Sequence, residues 1–236
     1  MITVLAHCLA AYLILVTSWL GYLWYQRVQR RLAADVPDAK VGLYRGLLAE
    51  QILITAVVLA IWRGGVPASG LGLVVPRSWA WNCAAVLVIV GVLVWSSVRL
   101  RPKAEKLRVK VDDHLGALLP GTPQERSWFG AVSVGAGISE ELCFRGFLLY
   151  YLAAYLPNTA TWQRVLVTAI VFALAHIYQG WKPAIGTGVL GLILAGLYLL
   201  TRSLFLPMVV HAAVDLRVLL IFRPQPSPRL AEQGSA

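Results

Sequence analysis

Long apolar stretches, separated by short polar segments, follow one another along most of the chain. Each stretch is long enough to cross the hydrocarbon core of a bilayer as an α-helix, which takes about 20 residues. The pattern predicts seven membrane spans, or eight if the long fourth stretch is broken. The predicted spans cover residues 3–24, 46–62, 79–98, 127–152, 161–177, 184–200 and 204–222.

The composition indicates a membrane protein and excludes an ordinary soluble domain. Hydrophobic residues make up 58% of the 236 residues and charged residues only 14%, and the mean hydropathy is +0.69, far above that of soluble domains. We therefore expect an all-α, polytopic integral membrane protein with a single membrane domain over residues 1–236. Prolines at 224–228 begin a short flexible tail at 223–236.

The loops between the predicted spans carry most of the positive charge. Five Lys and Arg fall within residues 27–45 and seven within 99–126, whereas the connection between the second and third spans holds only Arg63 and Arg77. Because Lys and Arg accumulate in cytoplasmic loops, we expect both basic segments to be cytoplasmic. The same rule accounts for the formal net charge of +10, so the expected partners are membrane lipids and not nucleic acid.

Ionisable residues within the predicted spans are few, and three of them are nearly adjacent. One charge at the centre of a span costs about 2.5–3.5 kcal/mol, so the stretch 138–147, ISEELCFRGF, costs on the order of 8 kcal/mol unless its charges are paired or hydrated. Such a cost favours a functional role over simple packing. The ionisable residues in the spans are Glu50, Glu140, Glu141, Arg145, Asp215 and Arg217, with His7, His176 and His211.

The two glutamates of this stretch lie on different faces of the predicted helix. Neighbours in an α-helix are about 100° apart, whereas residues four apart share a face, so Glu141 can pair with Arg145 while Glu140 points elsewhere. An unpaired carboxylate in a partly dry cavity is suited to act as a general base. The alternative is a structural charge network that holds the helices together.

Two further spans carry a histidine with a partner four residues away. Phe172 lies one turn before His176, so its ring can pack against the imidazole and fix its orientation. His211 lies one turn before Asp215, whose carboxylate can hold a ring nitrogen of His211 or line the same cavity. Either histidine alone is more often a helix–helix hydrogen-bonding residue. Three spans with such pairs predict one shared polar pocket.

These motifs resemble those of a known protease family. Their order on successive membrane segments is similar to that in the CPBP family of intramembrane proteases, which includes the CAAX prenyl endopeptidases and the bacterial Abi proteins. The resemblance covers residues 127–222. The motifs are Glu140-Glu-x-x-x-Arg145, Phe172-x-x-x-His176 and His211-x-x-x-Asp215.

The resemblance implies a peptidase that works through a glutamate, with no metal or other cofactor. On this interpretation Glu140, helped by His176, activates the water that attacks the scissile amide. Glu141 and Arg145 set the charge and position of the site. A zinc site is the alternative use of two histidines and a glutamate, but the sequence has no His-Glu-x-x-His pair and the ligands would come from three spans.

Position 215 departs from the family pattern. The resemblance implies that His211 and residue 215 stabilise the oxyanion of the tetrahedral intermediate, but this position is often Asn in the CAAX endopeptidases. An ionised aspartate cannot donate a hydrogen bond. Asp215 must therefore be protonated, act by orienting His211, or leave the oxyanion to His211 alone.

Together with the family resemblance, the motifs predict an enzyme that cleaves a membrane-associated or lipidated peptide or protein tail. We expect the protein to lie in a bacterial cytoplasmic membrane. The alternative is a nonenzymatic membrane adaptor or bacteriocin-immunity protein that keeps the motifs as a structural charge network. A transporter is a third interpretation, because buried charges also mark substrate paths. The lack of an inverted repeat argues against it.

Overall fold

A helix occupies each of the seven predicted spans. The computed structural model describes residues 4–104, 106–107 and 118–224, so part of the basic segment 99–126 and the tail beyond residue 224 lie outside the described residues. The helices are α1 (Val4–Ala33), α2 (Ala39–Arg63), α3 (Trp79–Leu100), α4 (Pro123–Glu141) with its continuation α5 (Leu149–Tyr155), α6 (Thr161–Ala175), α7 (Trp181–Thr201) and α8 (Phe205–Ile221).

Four of these helices are long and apolar enough to cross a membrane: α1, α2, α7, and α3 with the short 3₁₀ turn that extends it to Lys103. Helix α6 is a shorter apolar helix. The described residues contain no strand. The prediction of an all-α integral membrane protein is therefore confirmed, while the number of seven or eight spans stays a prediction.

The start of α4 is set by its own sequence. Thr122 Oγ1 accepts from Glu125 N at 3.2 Å, and Glu125 Oε2 accepts from the backbone N–H of Thr122 at 3.3 Å and of Gly121 at 2.6 Å. This capping box satisfies N–H groups that lack partners inside the helix, and Pro123 at the first position has no N–H to satisfy. The helix that carries the two glutamates therefore begins at a firmly defined residue.

The fourth segment is helical without a break from residue 123 to residue 155. Helix α4 passes at Leu142–Leu148 into a π-helical stretch and then into α5. A π-helical turn inserts an extra residue, which changes the face on which the following side chains lie, and such turns are frequent at functional sites. Here the change comes directly after Glu140 and Glu141.

Helices α4 and α8 approach each other closely at Gly137. A Cβ atom on Gly137 would lie 2.8 Å from Met208 O and 2.9 Å from both the backbone N and the Cβ of Ala212, so only glycine allows this distance between the backbones. The contact lies one turn before the glutamates of α4 and beside His211 on α8. The packing of these two helices therefore brings residues far apart in sequence into one site.

The connection between α2 and α3 binds the start of α8. Gly72 O accepts from Leu204 N at 3.0 Å, and Val74 O accepts from Ser203 Oγ at 2.8 Å. At the other end of α8, Arg126 donates to the carbonyl oxygens of Leu219 and Phe222 at 2.7 and 2.6 Å. Both ends of the helix that carries His211 are thus held in place.

Candidate active site

Glu141 is fully buried and offers one oxygen to two partners. Arg145 Nη1 donates to Glu141 Oε1 at 2.7 Å, and His211 Nδ1 lies 2.7 Å from the same oxygen. The exposed fractions of the three side chains are 0% for Glu141, 2% for Arg145 and 4% for His211. Glu141 therefore pairs with Arg145 along the helix as the spacing predicts, and also joins α4 to α8.

The hydrogen bond from His211 fixes which nitrogen of its ring carries a hydrogen. A carboxylate oxygen can only accept, so Nδ1 must be the donor to Glu141. The other nitrogen, Nε2, faces the remaining carboxylates of the site and lies 3.7 Å from Glu140 Oε2 and 3.9 Å from Asp215 Oδ2. The imidazole is thereby oriented with Nε2 towards the site.

Phe172 packs between the charged residues and the second histidine. The Arg145 guanidinium carbon lies 4.5 Å from the centroid of the Phe172 ring, at a distance typical of a cation–π contact. The ring centroids of Phe172 and His176 are 4.8 Å apart in an edge-to-face arrangement, and those of Phe172 and His211 are 6.0 Å apart. Phe172 therefore contacts three of the predicted site residues.

His176 lies at the end of α6 and is oriented by its own helix. Its Nδ1 is 2.8 Å from Phe172 O. Because a carbonyl oxygen only accepts, Nδ1 carries the hydrogen and Nε2 is left with a lone pair. This Nε2 lies 3.9 Å from Glu140 Oε2. The histidine therefore presents a basic nitrogen to the carboxylate on α4.

Glu140 stands between the two histidines and has no direct hydrogen-bond partner at Oε2, which is buried. Its side chain is 23% exposed. Separations of 3.7 and 3.9 Å from the two Nε2 atoms are too long for direct hydrogen bonds but fit a water that bonds to the carboxylate and to an imidazole at once. The arrangement can therefore hold and deprotonate a water.

Asp215 borders the site and does not orient the histidine. Its Oδ2 is 3.9 Å from His211 Nε2, beyond hydrogen-bond distance, and 35% of its side chain is exposed. The orienting hydrogen bond comes from Glu141 instead. Of the three roles that the sequence leaves open for Asp215, the orienting one does not fit this geometry.

Five of the seven predicted site residues, Glu140, Phe172, His176, His211 and Asp215, line a cavity of about 480 Å³ that extends between α1, α2 and α4, whereas Glu141 and Arg145 are not among its lining residues. Its walls are mainly apolar, and its polar lining includes Glu140, His176, His211 and Asp215. Among the described residues, no three His, Cys, Asp or Glu side chains are grouped so that they could hold a metal ion. Glu50 also lines the cavity and accepts a hydrogen bond from Tyr12 Oη.

Two other ionisable residues of the spans lie away from the cavity. His7 is hydrogen-bonded to the hydroxyl groups of Tyr151 and Tyr155 at 2.9 and 3.2 Å. Arg217 donates from Nε to Ser97 Oγ at 3.0 Å and so ties α8 to α3. Their contacts are those of helix packing.

In the first two helices, the sequence drew attention only to Glu50 and His7, as ionisable residues within the predicted spans. Tyr12 and Gln51 line the cavity from α1 and α2, whereas the family resemblance begins only at residue 127. The one available signal was a pair of neighbouring polar residues, Glu50 and Gln51, inside an apolar stretch.

The comparison with protein families agrees with the geometry. Residues 122–217 match the family described as type II CAAX prenyl endopeptidase Rce1-like. No curated protein and no solved structure matches the chain. The matched segment runs from the cap of α4 to α8 and contains all seven predicted site residues. Over residues 122–217, which are fewer than half of its residues, this integral membrane protein is similar to the type II CAAX prenyl endopeptidases.

Proposed function

We propose that this chain is a CAAX-type peptidase that cuts a membrane-associated or lipidated peptide or protein tail. Glu140 and His176 activate the water that attacks the scissile amide, and no metal ion takes part. The observation that carries the proposal is the position of Glu140. Its Oε2 atom is buried without a partner and is faced by the Nε2 atoms of two imidazoles at 3.7 and 3.9 Å.

The chemistry follows from these positions. A water between Glu140 and His176 gives a proton to the Glu140 carboxylate as its oxygen attacks the carbonyl carbon of the scissile amide. The resulting tetrahedral intermediate carries an oxyanion. Glu140 then gives the proton to the amide nitrogen as the C–N bond breaks, which leaves a carboxylic acid and an amine and returns the base to its ionised form.

The oxyanion is assigned to His211. When both of its ring nitrogens carry hydrogen, Nδ1 donates to Glu141 and Nε2 can donate to the oxyanion. Donors positioned in advance where charge develops are a large source of catalysis. Arg145 balances the charge of Glu141, so the base Glu140 does not stand beside a second uncompensated carboxylate.

The surroundings of the site suit a substrate that comes from the membrane. The cavity lies between helices of a membrane protein and is mainly apolar away from the site residues, so an apolar or lipidated tail can be accommodated while the amide reaches Glu140. The description of the family names a prenylated CAAX tail as the substrate class, and we propose a related tail here.

We also propose that both basic segments face the cytoplasm. Lys40 Nζ donates to Leu119 O, and Tyr44 Oη donates to Leu118 O, each at 2.8 Å. These contacts join the start of α2 to the residues before α4, so the two segments lie on the same side of the membrane, as the charge rule requires.

The test uses the full chain in proteoliposomes with two internally quenched peptides. One ends in a farnesylated cysteine followed by two aliphatic residues and methionine, and the other is the same peptide without the farnesyl group. We expect the native chain to cleave at least one of them. Glu140→Gln should lower kcat about 10²- to 10⁴-fold, because it removes the base and keeps the shape.

Glu125→Gln is the matched control for this substitution. Glu125 lies on the same helix, outside the cavity, and glutamine also serves in a capping box. Thermal unfolding should show that both variants remain folded. Equal cleavage by the native chain and Glu140→Gln would overturn the mechanism.

The cellular experiment separates a peptidase from a membrane adaptor. Cells that lack the gene are complemented with the native chain or with Glu140→Gln at equal abundance, and the termini of membrane peptides are compared by mass spectrometry. New termini that need the native chain support the peptidase and identify its substrate. Identical profiles, with full rescue by Glu140→Gln, would establish the adaptor instead.

A further inference from the structure

Two buried polar side chains of the cavity each have an atom without a partner in the protein. Gln51 on α2 is 8% exposed and Ser139 on α4 is 1% exposed. Gln51 Nε2 donates to Val132 O at 3.2 Å, which fixes the orientation of the amide, and its Oε1 atom has no partner. Ser139 Oγ has none either. Both residues line the cavity together with Glu140.

The unpaired hydroxyl of Ser139 contrasts with other serines of the helices. Ser133, six residues earlier on α4 and equally buried, donates to Phe129 O at 2.9 Å. Ser97 on α3 likewise donates to Leu93 O, at 2.6 Å. A buried serine in a helix commonly satisfies its hydroxyl group by donating a hydrogen bond to a carbonyl oxygen of the preceding turn. Ser139 lacks this bond, and an unpaired buried polar group destabilises the folded protein.

The spacing along α4 of Ser139 and of Gly135, against which Gln51 packs, suits an extended peptide. The Gln51 amide packs directly against Gly135, where a Cβ atom would collide with Oε1. Gly135 and Ser139 are one helical turn apart, which is about 6 Å along the helix axis. In an extended chain, groups on the same side recur every second residue, or roughly every 6.6 Å. A peptide along α4 could therefore reach both.

The main chain of a peptide inside an apolar cavity needs hydrogen-bond partners from the protein. Backbone N–H and C=O groups that leave water must be paired within the protein. The side chain of Glu140, with its two oxygens, is reserved for the water and the scissile amide. The cavity residues next to it must therefore supply the hydrogen bonds for the neighbouring peptide groups.

We propose that Gln51 and Ser139 bind the main chain of the substrate beside the scissile bond, with Gln51 Oε1 accepting from a peptide N–H and Ser139 Oγ donating to a peptide C=O. The inference rests on the proposed peptidase function and adds to it two binding residues, one of which lies outside the segment that matches the family. Both contacts are to the main chain, so they position many tails without selecting their side chains.

The first experiment compares Ser139→Ala with Ser133→Ala, using the peptide that the native chain cleaves. Ser139→Ala should raise KM about 3- to 10-fold, the effect of one lost hydrogen bond, with kcat unchanged. Its unfolding temperature should equal or exceed that of the native chain, because the lost hydroxyl had no partner. Ser133→Ala should lower the unfolding temperature and leave KM unchanged. A purely structural Ser139 would give the opposite pattern.

The second experiment tests the contact of Gln51 with a peptide N–H. Methyl groups are placed one at a time on the backbone nitrogens that flank the cleaved bond, and each peptide is assayed with the native chain and with Gln51→Met. At one position, N-methylation should raise KM about 3- to 10-fold for the native chain and have little further effect for Gln51→Met, since both changes remove the same bond. Fully additive effects at every position would overturn the assignment.

The two proposals can fail separately. Cleavage that is lost in Glu140→Gln but unaffected by Ser139→Ala and Gln51→Met leaves the peptidase intact and removes these two binding residues. If the native chain cleaves neither quenched peptide, a peptide that spans a new terminus found in cells is used instead. No cleavage of any of these peptides by the native chain overturns both proposals.

Discussion

His211 Nδ1 and Glu141 Oε1 lie 2.7 Å apart, in a contact that joins the last helix to α4. The same oxygen accepts from Arg145. Because Glu141 is fully buried, it cannot replace these partners with water. The orientation of His211, the proposed oxyanion-binding residue, and the neutralisation of the buried Arg145 therefore depend on one carboxylate.

Glu141→Ala should destabilise the protein by about 3–5 kcal/mol, because it leaves Arg145 buried with no counterion. Unfolding of the detergent-solubilised full chain, followed by the fluorescence of its tryptophans, measures the free energy of unfolding. Turnover should fall as well, since His211 loses the group that orients it. A stable and active Glu141→Ala variant would contradict this account of the site.

The double variant Glu141→Ala with Arg145→Met is the control for the buried charge. Removing both partners eliminates the unpaired guanidinium, and methionine retains much of the arginine's apolar volume. We expect the double variant to regain part of the stability lost in Glu141→Ala, while its turnover stays below that of the native chain. If the two changes destabilise the protein additively, the unpaired guanidinium is not the cause of the stability lost in Glu141→Ala.

Gly137→Ala should lower both stability and kcat. Its Cβ atom would lie 2.8–2.9 Å from Met208 O and Ala212 N, so α8 must move away from α4, at a cost of about 1–3 kcal/mol. A displacement of His211 by about 1 Å can lower turnover on the order of 10²-fold. Thermal unfolding and cleavage of the quenched peptide measure the two effects.

Gly130→Ala is the matched control for Gly137→Ala. Gly130 lies on the same helix and faces the same neighbour, but a Cβ atom there would lie 3.6 Å from Leu219 Cδ1, an ordinary van der Waals distance. This variant should retain native turnover and stability. If both substitutions are tolerated, close approach at Gly137 does not position the site.

Apolar stretches predicted the positions of the helices better than their ends. The prediction of 79–98 corresponds to α3 (Trp79–Leu100) and that of 184–200 to α7 (Trp181–Thr201). The second span was predicted to begin at 46, but α2 begins at Ala39. Its first turns carry Lys40, which is tied to Leu119 O. The extent of an apolar stretch does not predict helical residues that are held by polar contacts.

The pairs within each motif were predictable because a helix fixes the distance between residues four apart. The contacts between motifs were not, since hydropathy does not specify which helices meet. Predicted boundaries put His176 near the end of its span and Glu140 near the middle, yet the two side chains are 3.9 Å apart. Helix α6 has only 15 residues, about 22 Å, so its end need not reach the membrane surface.

His176→Asn should lower kcat about 10²-fold and leave stability nearly unchanged. The asparagine amide can still donate to Phe172 O, but it has no nitrogen at the position of Nε2 to help deprotonate the water. His7→Asn is the control, because His7 bonds to two tyrosines outside the cavity. Quenched-peptide cleavage should fall only in the first variant. Equal activity of the two variants would remove His176 from the proposed mechanism.

Metal chelators should leave the rate of cleavage unchanged. The proposed base, Glu140, acts directly on the water, and Glu141 is already paired with Arg145, so no step needs a Lewis acid. The native chain is assayed after dialysis against EDTA and again with 1,10-phenanthroline. A loss of activity that zinc restores would contradict the glutamic mechanism and favour a zinc site.

A protonated Asp215 can donate a second hydrogen bond to the oxyanion, so Asp215→Ala should lower kcat roughly 10-fold, within the range for loss of a transition-state hydrogen bond, whereas Asp215→Asn should retain or increase activity. An ionised aspartate cannot donate to the oxyanion, but an asparagine amide at this position can, beside His211 Nε2. The 3.9 Å separation from Nε2 means that no orienting hydrogen bond is lost in either variant. The measurement compares kcat of the native chain with kcat of both variants, after thermal unfolding has shown that all three unfold at the same temperature. Equal losses of activity in the asparagine and alanine variants would show that the aspartate acts through its charge, and would leave His211 alone at the oxyanion.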